Sequence, residues 1–458
     1  MQDAKVTSDR VHGAIRSTRG LRKRAGPMSK VVFVSTVFPF PADFGKKLVV
    51  GGILKYLILR YGAEQVTYVL LGSENKASSI PDFPCRYLAL GKPSSWHRLR
   101  NILWFSLVRR SKSIQESMLY SPEVDRVLRD TVAAIGPDLV VCETLRTGQF
   151  FEAPGRTEST YVLYMDDLFS VRYRKMLEVL KRFPRARINP LGTFERFVPS
   201  VLRPLVRLGF MRRSLLRLER ALVEKRERNS VGSFNKCLLI NRDEADLLRK
   251  KTGHTSIHTV NPLLTRSRAD SDRHYTGEPV FVFLGALDVP HNHFSVLHFV
   301  KTCMDQMITE MPDVKLRIIG RGKSDELVRL AERYAGVVSL EGFVEDLDSV
   351  FRESCAMVVP LLFGSGVKIK TLEAFSRGLP VISTGFGVEG IPVTNGVNCV
   401  VENDIARYPR LMSAATDVRY NTAISKAAGE FYLQNYSEEQ VFKAYDLLFS
   451  PDNAVSGK

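Results

Sequence analysis

The sequence predicts an α/β protein made of two blocks, each a parallel sheet with helices between its strands. Three observations lead there. Short continuous apolar runs recur, each of the length of a buried parallel strand. Helical patterns fill the gaps between them, as βαβ units require. The 458 residues also exceed the usual domain of about 100–200 residues.

The first block opens with the apolar run Val31–Thr36, followed by a loop rich in Pro and Gly from Phe38 to Gly45 and a helical pattern over Val49–Arg60. Further strands are predicted at Gln65–Leu71, Asp138–Cys142 and Thr160–Met165, the last followed by Asp166-Asp167. The polar stretch Pro262–Tyr275 has no periodicity and is predicted to link the blocks. The second block begins near Glu278, with strands predicted at Pro279–Leu287, Val314–Gly320, Val337–Leu340, Ala356–Leu361, Pro380–Thr384 and Cys399–Val401. Helices are predicted between them at Phe294–Met307, Asp325–Tyr334, Leu347–Glu353 and Ile369–Arg377. The blocks do not repeat each other closely, and no solenoid period is present.

Hydrophobic residues make up 44% and charged residues 25%, the balance of an ordinary globular protein. No apolar run approaches the ~18–20 residues that span a bilayer. Residues 1–29 are polar and basic without the apolar centre of a signal peptide, and are expected to be a disordered lead, with Met28 as the functional start. The six cysteines are scattered, without C-x-x-C or metal-ligand spacing, and are read as small hydrophobes in a reducing, cytoplasmic compartment.

The net charge of +17 is the outlier. Leu168–Ser230 alone carries 17 Lys and Arg against 5 Glu, a net +12, with Arg203, Arg207, Arg213 and Arg217 interleaved among Leu202, Leu205, Leu215 and Leu218. Trp96–Arg110 has the same character. Two readings stand side by side: solvated helix faces, or a surface seated on anionic lipid, where each basic residue adds about 1 kcal/mol. Nucleic acid is set aside, since no binding motif accompanies the charge.

Several motifs fail on inspection. Gly320-Arg321-Gly322-Lys323-Ser324 ends like a Walker A loop, but Arg317 stands where its first glycine should. Gly385–Gly390 spells G-x-G-x-x-G, yet Pro392 follows where a helix should run, so a turn is predicted. Asp346-Leu347-Asp348 spells D-x-D, but Asp346 precedes an apolar helical pattern and is predicted to cap it.

The informative segment is Ser354–Val401. A predicted strand runs into Leu362-Phe363-Gly364-Ser365-Gly366 and then into a helix carrying Lys368, Lys370 and Glu373. Glycines at such a junction let a ligand approach the backbone, and a helix start presents free N–H groups to an anion. The two lysines add charge, and Glu373 lies one turn on, at the reach of ribose hydroxyls. An amphipathic helix with solvated lysines is the plainer alternative.

The stretch Gly364–Thr384 resembles the donor-site signature of glycosyltransferase family 4 (group 1). The resemblance extends to Leu284-Gly285-Ala286-Leu287 with Pro290 and Asn292, to Ile318–Gly322, to Glu341–Leu347 and to Asn395–Asn398. In the first block it rests on Phe38-Pro39, Asp43–Lys47 and Asp166–Tyr173, and it covers roughly Lys30 to Ser450. It implies a GT-B fold, two Rossmann-like domains with parallel sheets facing across a cleft, and a glycosyltransferase of hexosyltransferase type. The reaction implied moves sugar from a nucleotide-diphosphate-sugar to a glycan or lipid-linked acceptor, with retention of configuration and no metal or other cofactor. Lys368 and Lys370 would meet the charge on the departing diphosphate, a catalytic role. Gly285, Arg321, Val344, Gly366 and Glu373 would bind the donor, Val344 touching the base through its backbone and Glu373 holding the ribose. Gly45 and Lys46 would form the acceptor loop.

On these grounds residues 30–270 are expected to form the acceptor domain, with 168–230 as a basic helical insert. Residues 276–435 would form the nucleotide-sugar domain, and a helix over 436–450 would return to the first. The expected place is cytoplasmic, with peripheral attachment to an anionic membrane face. This chain departs from the family pattern in three places. Ser365 stands where many members carry the first of two glutamates eight apart. His291 and His293 follow the first strand of the second block in place of Arg and Lys, and the catalytic His of the first domain has no match near Cys142-Glu143-Thr144. A non-catalytic nucleotide-sugar-binding or membrane scaffold protein of the same fold, or a GT-B sugar-nucleotide epimerase, are the alternatives.

Overall fold

The computed structural model describes residues 29–40, 45–73, 83–152, 158–182, 209–264, 273–322 and 324–451. Residues 1–28 of the expected lead over 1–29, and residues 183–208 of the basic insert, lie outside them. The chain forms two compact units. One comprises Met1–Arg174, Asn189–Thr265 and Val441–Lys458, and the other Lys175–Ile188 and Arg266–Gln440.

The first unit holds a seven-stranded sheet of β1 (Val31–Ser35), β2 (Val66–Ser73), β3 (Arg86–Gly91), β4 (Leu139–Glu143), β5 (Thr160–Asp166), β6 (Lys236–Leu239) and β7 (Ile257–Thr259). All pairings are parallel, in the order β3-β2-β1-β4-β5-β6-β7. β1 and β4 are buried along their whole length, which is why their sequences read as unbroken apolar runs. β3, β6 and β7 escape the sequence reading for a physical reason. β3 is an edge strand without a buried residue, β7 buries only Ile257, and the buried part of β6, Cys237–Leu239, is three residues long.

The first helix spans Gly45–Tyr61, so Gly45 and Lys46 lie in its first turn rather than in a loop. It packs closely: a Cβ on Gly52 would stand 2.5 Å from the carbonyl oxygen of Leu263. The end of the chain rests on the same helix. Tyr56 meets the rings of Phe442 and Tyr445 at 5.2 and 5.1 Å, and its hydroxyl donates to Asp446 at 2.8 Å.

The described part of the basic insert is less free than its composition suggests. Arg226 is clamped between Glu116 and Glu152, and Arg172 forks onto Asp167. The helix Gly209–Ser230 also buries Glu219, which accepts the backbone N–H groups of Ile114 and Gln115 at 2.7 and 3.3 Å. Burial pushes the Glu219 carboxyl up to about 7.

The second unit holds a six-stranded parallel sheet of β8 (Val280–Leu284), β9 (Lys315–Ile319), β10 (Val338–Gly342), β11 (Ala356–Val359), β12 (Val381–Ser383) and β13 (Val400–Val401), in the order β10-β9-β8-β11-β12-β13. Its core is built on Phe281, Phe283, Phe299, Met304, Leu316 and Ile318. All six predicted strands are present, though the apolar run from Pro279 leaves the sheet at Leu284, where the backbone turns at Gly285. The following helix starts at Pro290, four residues before the expected Phe294, because proline at the first helical position has its φ preset and needs no N–H partner. Asp346 caps the helix Leu347–Glu353, accepting from the N–H groups of Asp348 and Ser349 at 3.1 Å each. Among the described residues no helix is long and apolar enough to cross a membrane.

One glycine pins this sheet end. Gly320 has φ +151°, and a Cβ there would lie 1.9 Å from the carbonyl oxygen of Gly285. Gly320→Ala must therefore strain the backbone and spread the loops after β8 and β9. It is expected to cost the second unit roughly 2–4 kcal/mol, read as a lower urea midpoint.

Candidate functional site

In the second unit the chain steps outward from β8 to β9 and β10, then returns to lay β11 on the other side of β8. The loops leaving β8 and β11 therefore diverge and open a crevice at the carboxyl ends of the strands, the usual ligand position in such sheets. Of the predicted donor residues, Gly285 lies on the loop after β8 and Gly366 on the loop after β11, ahead of the helix that carries Glu373, while Arg321 and Val344 lie on the loops after β9 and β10. The helix Ile369–Phe375 brings Lys370 back to the end of β8, where its Nζ donates to Asn292 Oδ1 at 2.8 Å and lies 4.6 Å from the centre of the Phe283 ring. Gly285 makes room for this: a Cβ there would stand 2.5 Å from that Nζ. Asn292 is held in turn by donating to the Ala286 carbonyl at 2.9 Å.

No carboxylate forms an ion pair with Lys370 among the described residues. Burial drives its ammonium down to about 7, the neighbouring Lys368 adds to the fall, and Glu373 opposes it. Glu373, also buried, sits one turn along the same helix.

Two details differ from the sequence reading. The helix starts at Ile369, as predicted, but Lys368 is its N-cap rather than part of it, and Gly366 lies two residues ahead of the cap at φ +74°. Lys368 folds back, donating to the carbonyls of Ser365 and Gly366 at 3.0 and 2.6 Å, and thereby fixes the glycine loop. Arg321 stands exposed with Asp288 3.7 Å away, and its carbonyl accepts from Leu287 at 2.7 Å. Val344 is half-buried beside the exposed Phe343 in the loop after β10.

The first unit carries a second constellation at the equivalent place, where β1 is flanked by β2 and β4. Lys46 bridges Glu143 at the end of β4 and Asp166 at the end of β5, at 2.7 and 2.9 Å. Glu143 is fully buried and accepts from Thr36 N at 3.2 Å and from the Ser35 and Thr36 hydroxyls at 3.3 and 3.1 Å, while Arg146 lies 3.5 Å away. Burial alone would raise both carboxyls. The Lys46 charge, with Arg146 for Glu143 and Arg172 for Asp166, outweighs it and holds them below the usual carboxylate range. Burial likewise pulls Lys46 down, but its two carboxylates leave it raised.

Thr144 and Asp166 both take left-handed backbone conformations, φ +65° and +73°, at the ends of β4 and β5. A β-branched residue there is strained, and such strain gathers at functional sites. Sequence reasoning found Lys46 and the Asp166-Asp167 pair but assigned no role to Glu143. The available signal was an acid closing an otherwise apolar strand.

This two-sheet architecture is that of GT-B glycosyltransferases. It superposes on the Anabaena Alr3699/HepE structure in complex with UDP and glucose with a TM-score of 0.57 at 12% identity, over 94% of this chain and 100% of the other. Sucrose-phosphate synthase from Thermosynechococcus elongatus gives a TM-score of 0.61 at 15% identity over 93% and 100%. WaaG, a glycosyltransferase involved in lipopolysaccharide biosynthesis, gives 0.54 at 14% over 91% and 99%.

Residues 278–413, within the second unit, match the family of glycosyl transferases group 1. In sequence the chain is 29% identical, over 234 residues, to an uncharacterized 44.6 kDa protein in cps region of Klebsiella pneumoniae, covering 48% of this chain and 57% of that one. It is 31% identical to the phosphatidyl-myo-inositol mannosyltransferase of Mycolicibacterium smegmatis over 105 residues, 22% of this chain and 26% of that one. The matched stretches thus span little more than half of these relatives' lengths or less. Together these findings show a GT-B fold and a second unit similar to the group 1 glycosyl transferases.

The lowered Lys370 generates a pH prediction. A diphosphate beside it favours the charged ammonium, so binding must take up a proton wherever the empty site is deprotonated. Affinity for a nucleotide-sugar is expected to fall by up to tenfold per pH unit above about 7, and Lys370→Met should bind weakly with no such slope. Calorimetry in buffers of different ionisation enthalpy checks this, and a proton count of zero at pH 8 would remove Lys370 from the diphosphate.

Proposed function

We propose that the chain is a glycosyltransferase moving a sugar from a nucleotide-diphosphate-sugar to a glycan or lipid-linked acceptor, with retention of configuration and without a metal. The observation that carries this is Lys370: a half-buried lysine without an ion-paired carboxylate among the described residues, held by Asn292 at the glycine-lined end of β8. A diphosphate placed there would supply a counter-charge. Glu373 on the same helix is assigned to the ribose, and Gly285 and Gly366 to close approach of the donor. Lys368 holds the loop and completes the positive field, while Arg321 and Val344 rim the base.

Charge builds on the diphosphate as the sugar departs, and fixed cations stabilise it without reorganisation at that moment. Asp346 of the D-x-D motif is engaged in capping, and Asp166 at the end of β5 is engaged with Lys46. The first unit is assigned the acceptor, with Lys46 positioned by Glu143 and Asp166. The bound nucleotides of the structural relatives and the lipid headgroup named for the mycobacterial relatives support the substrate classes.

Three measurements test this on the purified full chain. A thermal-shift panel of UDP-, GDP- and ADP-sugars should show one stabilising donor, since saturation at 100 times Kd adds about 2.7 kcal/mol. Glu373→Ala is expected to weaken that donor at least tenfold while the chain stays folded. Unchanged affinity would detach Glu373 from the ribose. Turnover is expected to survive excess EDTA; loss restored by Mg²⁺ or Mn²⁺ would replace the lysine-centred mechanism. Tight donor binding with no hydrolysis or transfer would instead favour a non-catalytic binding protein, and inversion at a sugar carbon an epimerase.

A further inference from the structure

The segment Ser95–Lys112 of the first unit exposes apolar side chains that its own fold leaves uncovered. A short helix, Ser95–Asn101, runs into a wider π-helical turn, Ile102–Val108. One side of this turn is anchored. Asn101 donates to the carbonyls of Ser117 and Tyr120 at 3.3 and 2.7 Å, Ser106 bonds the Ser117 hydroxyl at 2.8 Å, and Ile102 packs on Ile114, Met118 and Leu222. The π-helical winding then sets Leu103, Trp104, Leu107 and Val108 together on the outside, 50%, 46%, 43% and 66% exposed, with Trp96 at 70%. Single exposed apolar residues need no explanation, but five within thirteen residues, two of them Trp, do.

The charge around them has one sign. From Lys92 to Gln115 there are six Lys and Arg and no Asp or Glu. Arg100, Arg109 and Arg110 are exposed, and the Arg109 guanidinium lies 4.9 Å from the centre of the Trp104 ring. Arg110 takes a left-handed backbone, φ +48°, and its carbonyl accepts from Lys225 at 3.2 Å, so the turn that presents these arginines is held by the long helix Gly209–Ser230. A protein partner of ordinary mixed charge has no need of such uniformity. A layer with phosphates outside and hydrocarbon beneath does, since Trp settles at that boundary while Arg binds the phosphates.

We propose that this π-helical turn is a membrane-docking surface, with Trp96, Leu103, Trp104, Leu107 and Val108 entering the headgroup boundary of an anionic bilayer and Arg100, Arg109 and Arg110 binding its phosphates. This deepens the reading of a lipid-linked acceptor by naming the surface that meets the lipid, and it uses no residue of the donor site. Docking here differs from docking through Leu168–Ser230, because the aromatic anchors lie outside that segment.

The chain carries its own probe, since Trp96 and Trp104 are its only two tryptophans. With the full chain and phosphatidylglycerol vesicles at low salt, Trp emission is expected to shift to the blue and become protected from acrylamide. The response should fall at least tenfold in high salt and vanish with pure phosphatidylcholine. Trp96→Ser with Leu107→Ser, and separately Arg100→Glu with Arg109→Glu, alter exposed positions and should each lower vesicle co-sedimentation at least tenfold with circular dichroism unchanged. Emission unmoved by anionic vesicles overturns the proposal, and so does undiminished binding by both variants, which would place docking elsewhere. Protection of the tryptophans without lipid, growing with protein concentration, also overturns it in favour of a second copy of the chain. Vesicle binding by a chain that turns over no donor would keep the docking surface and sink the transferase reading.

Discussion

Parallel strands can be joined only by crossovers, and every strand of both sheets therefore ends on the same side of its unit. That constraint places the chemistry. Backbone at the strand ends no longer has ladder partners, so side chains and tight turns must satisfy it, and charge that could not be buried mid-sheet collects there. In each unit the first strand has neighbours on both sides, and the loops leaving it and the fourth part company. Lys370 reaches one such opening and Glu143 closes the other.

The two openings are resolved electrostatically in opposite ways. In the first unit Lys46, Arg146 and Arg172 face Glu143, Asp166 and Asp167, so the group is close to neutral and internally bonded. Its depressed carboxyls contribute stability above the ordinary carboxylate range, which is lost as pH falls through their native values. In the second unit Lys370 has an amide oxygen and an aromatic face instead of a carboxylate. Keeping it charged there is costly, and an anion brought beside it would lower that cost. A self-satisfied constellation suits positioning, whereas an unsatisfied one suits binding.

Glycines make the second arrangement possible by bringing backbones closer than a side chain allows. Gly285 lies under Lys370, and Gly320 lies against Gly285, so the lysine pocket and the turn after β9 are packed as one piece. Lys368 then ties the loop after β11 through the carbonyls of Ser365 and Gly366. Lys368 thus orders the loop while Lys370 stays available, a division that two lysines in one motif do not reveal.

Much of the second unit was legible in the sequence because its strands are buried on both faces and its helices carry caps or a leading proline, signals that are local. Asp346 was read as a cap rather than as half of a metal motif for that reason. The edge strands β3 and β7 were not legible, since they bury too little to leave a pattern. Glu143 went unassigned because its meaning lies in Lys46 and Thr36, about a hundred residues away. The two α/β blocks, the glycine-lysine segment and the excess of positive charge are all written in near neighbours along the chain. Which charges take partners and which side chains stay outside is settled by the folded chain. It folds Arg226 inward onto Glu116, leaves Trp96 and Trp104 outside, and sets Lys370 against Asn292, because burial and pairing depend on residues that meet only once the chain has folded.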